Sequence, residues 1–169
     1  QKPCNNMYND RKYSKRKNLA HCIDAIEMVI EKLTYKDRDI NFFIAGSSCD
    51  YSYHKLILRK INMSRFRDHI ILLGDINSYD KENFYKKMDI ILYPSSIESF
   101  GLIPLEAIQF GCKFVTSNKI GSLENIKSEW IFKLNVINKF TISGAIEKLL
   151  EVDNTGLSAT INSFNDTIV

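Results

Sequence analysis

Residues 89–117 read DIILYPSSIESFGLIPLEAIQFGCKFVTS, and this stretch decides the fold. It opens on an apolar run, DIILYPS (89–95), which is typical of a strand buried on both faces. Residues 105–110 then follow helical spacing, and Gly111 is placed to end the helix. A second apolar run, CKFVTS (112–117), completes a strand–helix–strand unit, which predicts two parallel strands joined by a helix.

The same alternation extends to both sides of this unit. Apolar residues follow helical spacing over 19–33, where Asn18 is placed to cap the helix. The other expected elements are strands over INFFIAG (40–46), HIILLG (69–74) and, more weakly, 130–134, and helices over 52–63, 80–88, 122–127 and 141–151. This repetition predicts an α/β fold with a doubly wound, Rossmann-like parallel sheet. Residues 4–9, CNNMYN, are mainly polar and make a poor first strand.

The composition is that of an ordinary globular protein. Of the 169 residues, 44% are hydrophobic and 25% are charged, and the absence of repeats and linkers favours one domain over residues 1–169. No apolar run approaches the ~20 residues that a membrane-spanning helix needs, and the N-terminus lacks the apolar core of a secretory signal. Because the chain has no initiator methionine, we interpret it as part of a longer protein.

The cysteines and histidines do not suggest a metal site. The four cysteines, Cys4, Cys22, Cys49 and Cys112, are widely spaced and form no CxxC pair, and the three histidines are isolated. We therefore expect no metal. Unpaired thiols favour a reducing compartment, the cytoplasm.

Positive charge is concentrated in one segment. The net charge is +3, but residues 10–17, DRKYSKRK, contain five basic residues and one acidic residue and so carry +4. The remaining residues therefore sum to −1, which argues against a nucleic-acid-binding surface. Any attraction for anions is local to residues 10–17.

The ligand is expected at one edge of the sheet, because open parallel sheets bind ligands at the carboxyl ends of their strands. The predicted strands end at that edge with Gly46, Gly74, Ser95 and Ser96, and residues 116–118.

Residues 93–111 contain two glutamates, Glu98 and Glu106, in the frame E-x-F-G-x-x-x-x-E, with Phe100 and Gly101 between them. This frame and the strands around it resemble the family 4 glycosyltransferases and their relatives, the glycogen and sucrose synthase type. The resemblance covers about residues 18–124. It implies the donor-binding, C-terminal half of a two-domain GT-B fold whose acceptor-binding domain is absent from this chain.

The family pattern implies a role for each glutamate. Glu98 would contact donor-sugar hydroxyls near the reacting carbon, and Glu106 would hold the ribose, since a carboxylate can accept hydrogen bonds from two neighbouring hydroxyls. Amides at the start of a helix favour an anion such as the diphosphate. The implied donor-binding residues are Ser96, Ser99, Phe100, Gly101, Leu102, Ile103, Gly46, Gly74, Asp75 and Ile76.

Family members also carry an arginine and then a lysine before the first helix, where both grip the leaving diphosphate. Arg11 and Lys17 are the best matches here, although the gap between them is one residue longer than is usual, and Lys12, Lys15 and Arg16 are rivals. A solvated basic loop or a nucleic-acid patch is the alternative interpretation of this segment.

The resemblance implies retaining sugar transfer from a UDP- or GDP-sugar without a metal or cofactor. Lys17, Arg11 and the helix amides would stabilise the charge of the leaving diphosphate. The implied partners are the nucleotide sugar, an acceptor that is a glycan, lipid or small molecule, and the N-terminal domain of the same enzyme, but no nucleic acid. The full-length protein would be cytoplasmic, either free or at the cytoplasmic face of a membrane. This chain alone would be inactive or weakly hydrolytic.

Two other classes remain open. A nucleotide-sugar epimerase or a sugar phosphorylase would share the ligand-binding edge but not the glutamate frame. A non-catalytic doubly wound module, such as a receiver-like domain, would require an acidic cluster where the early strands end. This chain has glycines there.

Overall fold

A six-stranded parallel sheet forms the centre of the computed structural model. The structure describes residues 4–33, 39–48, 50–77, 80–98, 101–124, 126 and 128–153, with only the backbone of residues 4–12. The strands are β1 (Cys4–Lys12), β2 (Ile40–Ser47), β3 (Ile70–Gly74), β4 (Ile90–Tyr93), β5 (Lys113–Ser117) and β6 (Ile131–Leu134). Their order is β3-β2-β1-β4-β5-β6, the order of a Rossmann sheet.

Helices connect these strands close to the expected positions. They are α1 (Leu19–Leu33), α2 (Tyr51–Met63), α3 (Lys81–Tyr85), α4 (Leu102–Gln109) and α5 (Lys139–Glu151). Where a helix was expected over 122–127, the described residues form a single 3-10 turn, Gly121–Leu123, while residues 125 and 127 lie outside the described part. Within the described ranges, no helix combines the length and apolarity required to cross a bilayer.

The sheet is covered on both faces, as predicted. In β4, Ile90 and Leu92 pack on the side of α1, α2 and α5, whereas Ile91 and Tyr93 pack on the side of α3 and α4. Because neither face meets water, every residue of β4 and of β5 is buried. Burial on both faces explains why β4 is apolar throughout and why β5 is apolar at its centre, Phe114 and Val115.

Strand β1 includes residues 4–9, although their sequence makes a poor strand. The strand lies in the middle of the sheet, in parallel with β2 along most of its length and with β4 at Asn6 and Met7. Pairing along both edges provides partners for its backbone groups. This tertiary context outweighs the low strand propensity of asparagine, because strand preference depends strongly on neighbouring strands.

The order of the strands reverses between β1 and β4. The chain leaves β1 towards α1 on one face of the sheet and leaves β4 towards α4 on the other. A crevice opens between two connections that diverge in this way, and it is the usual ligand position in such folds.

Helix α5 begins with a capping box that allows a test of the fold. The Asn138 side chain accepts hydrogen bonds from the amides of Phe140 and Thr141 at 2.9 and 3.0 Å. We predict that Asn138→Ala lowers the free energy of unfolding by about 1 kcal/mol, measured by urea denaturation. The control is Asn62→Ala, which changes an exposed asparagine inside α2 and should not destabilise the protein. An equal loss in both variants would contradict the capping role.

Candidate functional site

Lys17 places a buried positive charge just after β1, beside β4, where the strand order reverses. It ends the 3-10 turn Lys15–Lys17 between β1 and α1 and is only 1% exposed, whereas Arg16 beside it is exposed. The Lys17 ammonium donates to Glu98 Oε2 at 2.7 Å and to the hydroxyl of Tyr93. A buried ammonium requires such partners, because removing a charge from water without them is costly.

Tyr93 closes a triangle with the two charged groups. Its hydroxyl donates to Glu98 Oε2 at 2.7 Å, so Lys17, Tyr93 and Glu98 are mutually hydrogen-bonded; we call them the Lys17 cluster. Burial alone would raise the pKa of Glu98. The hydrogen bonds from Lys17 and Tyr93, with the charges of Lys17 and Arg16, outweigh burial and hold that pKa below its usual 4.5. Glu98 is therefore ionised at neutral pH.

The loop that carries Glu98, residues 94–98, is fastened to the segment after β1. The Ser96 amide donates to the Arg16 carbonyl at 2.8 Å. Asn18 Nδ2 donates to the Pro94 carbonyl and to the Ser96 hydroxyl, each at 2.8 Å. These bonds explain how the loop stays against Lys17.

Asn18 lies immediately before α1, as expected, but its side chain is directed elsewhere. Its backbone carbonyl accepts from the amides of His21 and Cys22, while its side-chain nitrogen binds the 94–98 loop. The residue adopts a left-handed backbone conformation with a φ of 56°. Asn18 therefore joins α1 to the site rather than serving only the helix.

The other side of the loop is tied to β5 and the segment after it. The Ser117 hydroxyl donates to the Ser95 carbonyl at 2.6 Å. The backbone of Glu98 forms a parallel β-bridge with Ile120. Glu98 is thus held by its backbone as well as by its carboxylate.

Gly101 leads the chain into α4. Its φ is 80°, and a Cβ atom would lie 2.7 Å from Ile120 Cγ2 and 3.5 Å from Glu98 Cγ, so the position requires glycine. Leu102 and Ile103 are the first two residues of α4. Their amides and that of Gly101 belong to the helix N-terminus, which is favourable for an anion.

The second glutamate has partners of the same kind as the first. Glu106 Oε2 accepts from Lys81 Nζ at 2.6 Å and from the Tyr85 hydroxyl at 3.2 Å; we call these three residues the Lys81 cluster. Tyr85 also stacks on Phe110, with the ring centroids 5.8 Å apart. The side chains of Lys81 and Glu106 are 28% and 38% exposed, against 2% for Lys17. The Lys81 cluster is therefore much closer to solvent.

The remaining residues that were expected to bind the nucleotide sugar lie where strands β2 and β3 end. Gly46 is next to last in β2, and Gly74 ends β3, with φ values of 109° and 72°. The Ser47 hydroxyl donates to Asp75 Oδ2 at 3.1 Å, which joins the two strand ends. Ile76 follows in the loop and is half-buried.

Arg11, Ser99 and Phe100 cannot be compared with their expected roles. Arg11 belongs to β1, but its side chain is outside the described part, and Ser99 and Phe100 lie outside the described residues altogether. Within that described part, no three His, Cys, Asp or Glu side chains are grouped so that they could hold a metal ion.

Sequence reasoning missed Tyr93, Lys81 and Tyr85. Tyr93 occupies the last position of a buried strand at the ligand-binding edge, and that position was the available signal. Lys81 and Tyr85 are four residues apart in α3 and therefore share a helix face. Their partner Glu106 is more than 20 residues further along the chain, so this contact depends on the tertiary fold.

Comparison with known proteins identifies a family. A family model described as "Glycosyl transferases group 1" matches residues 11–161. The human alpha-1,3/1,6-mannosyltransferase ALG2 is 24% identical over 145 residues, which are 82% of this chain and 35% of ALG2. The chain spans about a third of the length of the curated relatives that it matches first.

Solved structures show the same fold. The C-terminal domain of LpcC, a group 1 glycosyl transferase from Francisella tularensis, has a TM-score of 0.78 at 21% identity, covering 94% of this chain and 80% of that chain. Anabaena HepE, solved in complex with UDP-glucose, has a TM-score of 0.75 at 18% identity, covering 97% of this chain and 43% of HepE. These likenesses confirm that the chain has the Rossmann-like fold of one half of a GT-B protein.

The Lys17 cluster makes stability depend on pH. The pKa of Glu98 is lower in the folded chain than in the unfolded one, so the cluster contributes stability above the unfolded pKa and loses it as the pH falls through the folded pKa. We predict that Glu98→Gln lowers the free energy of unfolding at neutral pH, and that its difference from wild type shrinks below about pH 4.5. Urea denaturation at a series of pH values measures this difference.

The control for this pH prediction is Glu82→Gln. It removes an exposed ion pair with Lys86, which is worth at most about 1 kcal/mol. It should therefore change the free energy of unfolding little at neutral pH. A Glu98→Gln difference that stays constant from neutral to acidic pH would contradict the lowered pKa of Glu98.

Proposed function

Since this chain belongs to the group 1 glycosyl transferases, we propose that it is the donor-binding half of a retaining glycosyltransferase and binds a nucleotide diphosphate sugar between the ends of β1 and β4. The observation that carries this proposal is the Lys17 cluster, a buried ammonium beside an ionised carboxylate where the strand order reverses. Ligands of doubly wound sheets occupy that position. HepE, which has the same fold, was solved with UDP-glucose, and this supports a nucleotide diphosphate sugar as donor. The proposed donor is a UDP- or GDP-sugar.

The diphosphate is proposed to lie between Lys17 and the N-terminus of α4. Cleavage of the donor leaves negative charge on the diphosphate. The Lys17 ammonium and the amides of Gly101, Leu102 and Ile103 are suitable groups to stabilise that charge. Because these groups supply positive charge and dipoles, we propose that transfer proceeds without a metal ion or cofactor. Arg11 is proposed as a second cation for the same diphosphate.

The two glutamates are proposed to bind different parts of the donor. Among the described contacts of Glu106, both reach Oε2, and we place a ribose hydroxyl at Oε1. Glu98 is held next to Lys17, so a sugar attached to the diphosphate would meet its carboxylate. Glu98 is a positioning group in this proposal and not a covalent nucleophile.

The acceptor is proposed to bind to a second domain outside these 169 residues. Transfer requires the acceptor to lie against the reacting carbon, and such positioning contributes about 7–11 kcal/mol to lowering a barrier. This chain alone is therefore proposed to bind the donor but to transfer sugar poorly. A cytoplasmic location is proposed for the full-length protein, and the buried free thiol of Cys22 fits it.

Metal-free binding can be tested directly. We predict that UDP or GDP binds to the chain in excess EDTA, because Lys17 and the helix amides compensate the diphosphate charge. Isothermal titration calorimetry of both nucleotides, with and without EDTA, measures this binding. Lys17→Met, which keeps the length of the side chain but removes its charge, should bind at least tenfold more weakly. Binding that appears only after magnesium or manganese is added would contradict the metal-free proposal.

Separate roles of the two glutamates predict different binding defects. Glu106→Ala should weaken binding of the nucleoside diphosphate by about tenfold or more, because a hydrogen bond to a charged group is lost and the diphosphate product still carries the ribose. Glu98→Ala should leave that affinity nearly unchanged, because its proposed partner is the sugar. Calorimetric titration of the two variants with UDP and GDP makes the comparison. Equal losses in both would contradict the division of roles.

A further inference from the structure

Tyr93 links the two charged groups of the Lys17 cluster from a rigid position. It is the last residue of β4 and is 2% exposed, with its ring 6.3 Å from the ring of Phe114. Its hydroxyl accepts a hydrogen bond from Lys17 and donates one to Glu98. The Lys17 ammonium also lies 4.2 Å from the centre of the Tyr93 ring. One side chain therefore contacts the lysine through both its ring and its hydroxyl.

The three members of the cluster differ in how they are held. Glu98 belongs to a loop, and Lys17 to a 3-10 turn, whereas Tyr93 belongs to a strand with neighbours on both sides. A functional side chain on a loop needs support from a rigid element if its position is to be accurate. In this site the tyrosine hydroxyl supplies that support to the Glu98 carboxylate.

We propose that Tyr93 is a positioning residue that keeps Glu98 directed at the donor sugar while Lys17 turns to the diphosphate; this inference rests on the proposed function. The entering diphosphate and Glu98 compete for the same buried ammonium. Each N–H that Lys17 directs to phosphate weakens its hold on Glu98. The Tyr93 hydroxyl is neutral and fixed by its packed ring, so its hydrogen bond to Glu98 persists.

The test is Tyr93→Phe, which removes the hydroxyl and keeps the buried ring. Calorimetry with four probes, UDP, UDP-glucose, GDP and GDP-mannose, compares the affinity for each nucleotide sugar with that for its diphosphate. We expect the variant to bind the preferred nucleotide sugar about tenfold more weakly and the matching diphosphate within about twofold of wild type. A merely structural role would weaken both ligands alike.

Tyr13→Phe is the matched control for removing a buried hydroxyl. Tyr13 is 1% exposed, and its hydroxyl is hydrogen-bonded to Nδ1 of His54 rather than to Glu98. This variant should bind both ligands within about twofold of wild type. Thermal unfolding of both tyrosine variants checks that each is folded at the titration temperature.

A second measurement tests whether Tyr93 acts through Glu98. In the Glu98→Gln background, Tyr93→Phe should cause no further loss of nucleotide-sugar affinity, because the hydroxyl no longer has a carboxylate to position. In the single Tyr93→Phe variant, the pKa of Glu98 should rise, so loss of sugar binding on acidification should begin at a higher pH than in wild type.

The outcomes separate this inference from the proposed function. If wild type binds neither diphosphates nor nucleotide sugars, the proposed function fails and the inference with it. If wild type binds both and Glu98→Gln weakens only the sugar form, the proposed function stands. In that case, three results would each overturn the inference. The first is a Tyr93→Phe variant that binds the nucleotide sugar as tightly as wild type does. The others are equal losses of affinity for both ligands, and a loss of nucleotide-sugar affinity that adds to the loss caused by Glu98→Gln.

Discussion

The burial of the Lys17 ammonium is the constraint on which the rest of the site depends. Removing one partner from a buried ion pair typically costs about 3–5 kcal/mol, so the fold must bring an anion to this lysine. Strands β1 and β4 do so by pairing side by side, which places the segment after β1 next to the loop after β4. The bonds from Asn18 to that loop and the bridge between Glu98 and Ile120 hold it there.

Much of the fold could be predicted from the sequence, because its cause is local. Apolar periodicity places the helices and the buried strands, and glycines mark where several of them end. Strand β1 could not be predicted in this way, since its stability comes from neighbours on both edges and not from its own residues. The family model matches residues 11–161 and therefore includes only the end of β1. Membership of the glycosyl transferase family favours a transferase over a receiver-like module.

The candidate site likewise contains residues that a local sequence pattern identifies and contacts that depend on the tertiary fold. Glu98, Gly101 and Glu106 were found because the frame that contains them is contiguous in sequence. The hydroxyl and amino groups that bind those glutamates come from other elements. Lys17 and Tyr93 are 76 residues apart, and Lys81 and Glu106 are 25 apart, so no sequence window shows either contact. A residue pattern can identify a carboxylate, but only the packed sheet determines which cation and which hydroxyl it meets.

The two clusters have the same composition but different electrostatic surroundings. Each joins a lysine, a tyrosine and a glutamate, yet the side chain of Lys17 is 2% exposed and that of Lys81 is 28% exposed. Near solvent, the Lys81–Glu106 pair is worth at most about 1 kcal/mol and can open with water replacing either partner. The Lys17 side chain is almost completely buried, so an anion is the favourable replacement for Glu98 beside it. A ligand that offers a diphosphate meets this requirement, whereas a neutral sugar or nucleoside does not. The exposure difference therefore supports the proposal that the diphosphate binds at Lys17 and the uncharged ribose at Glu106.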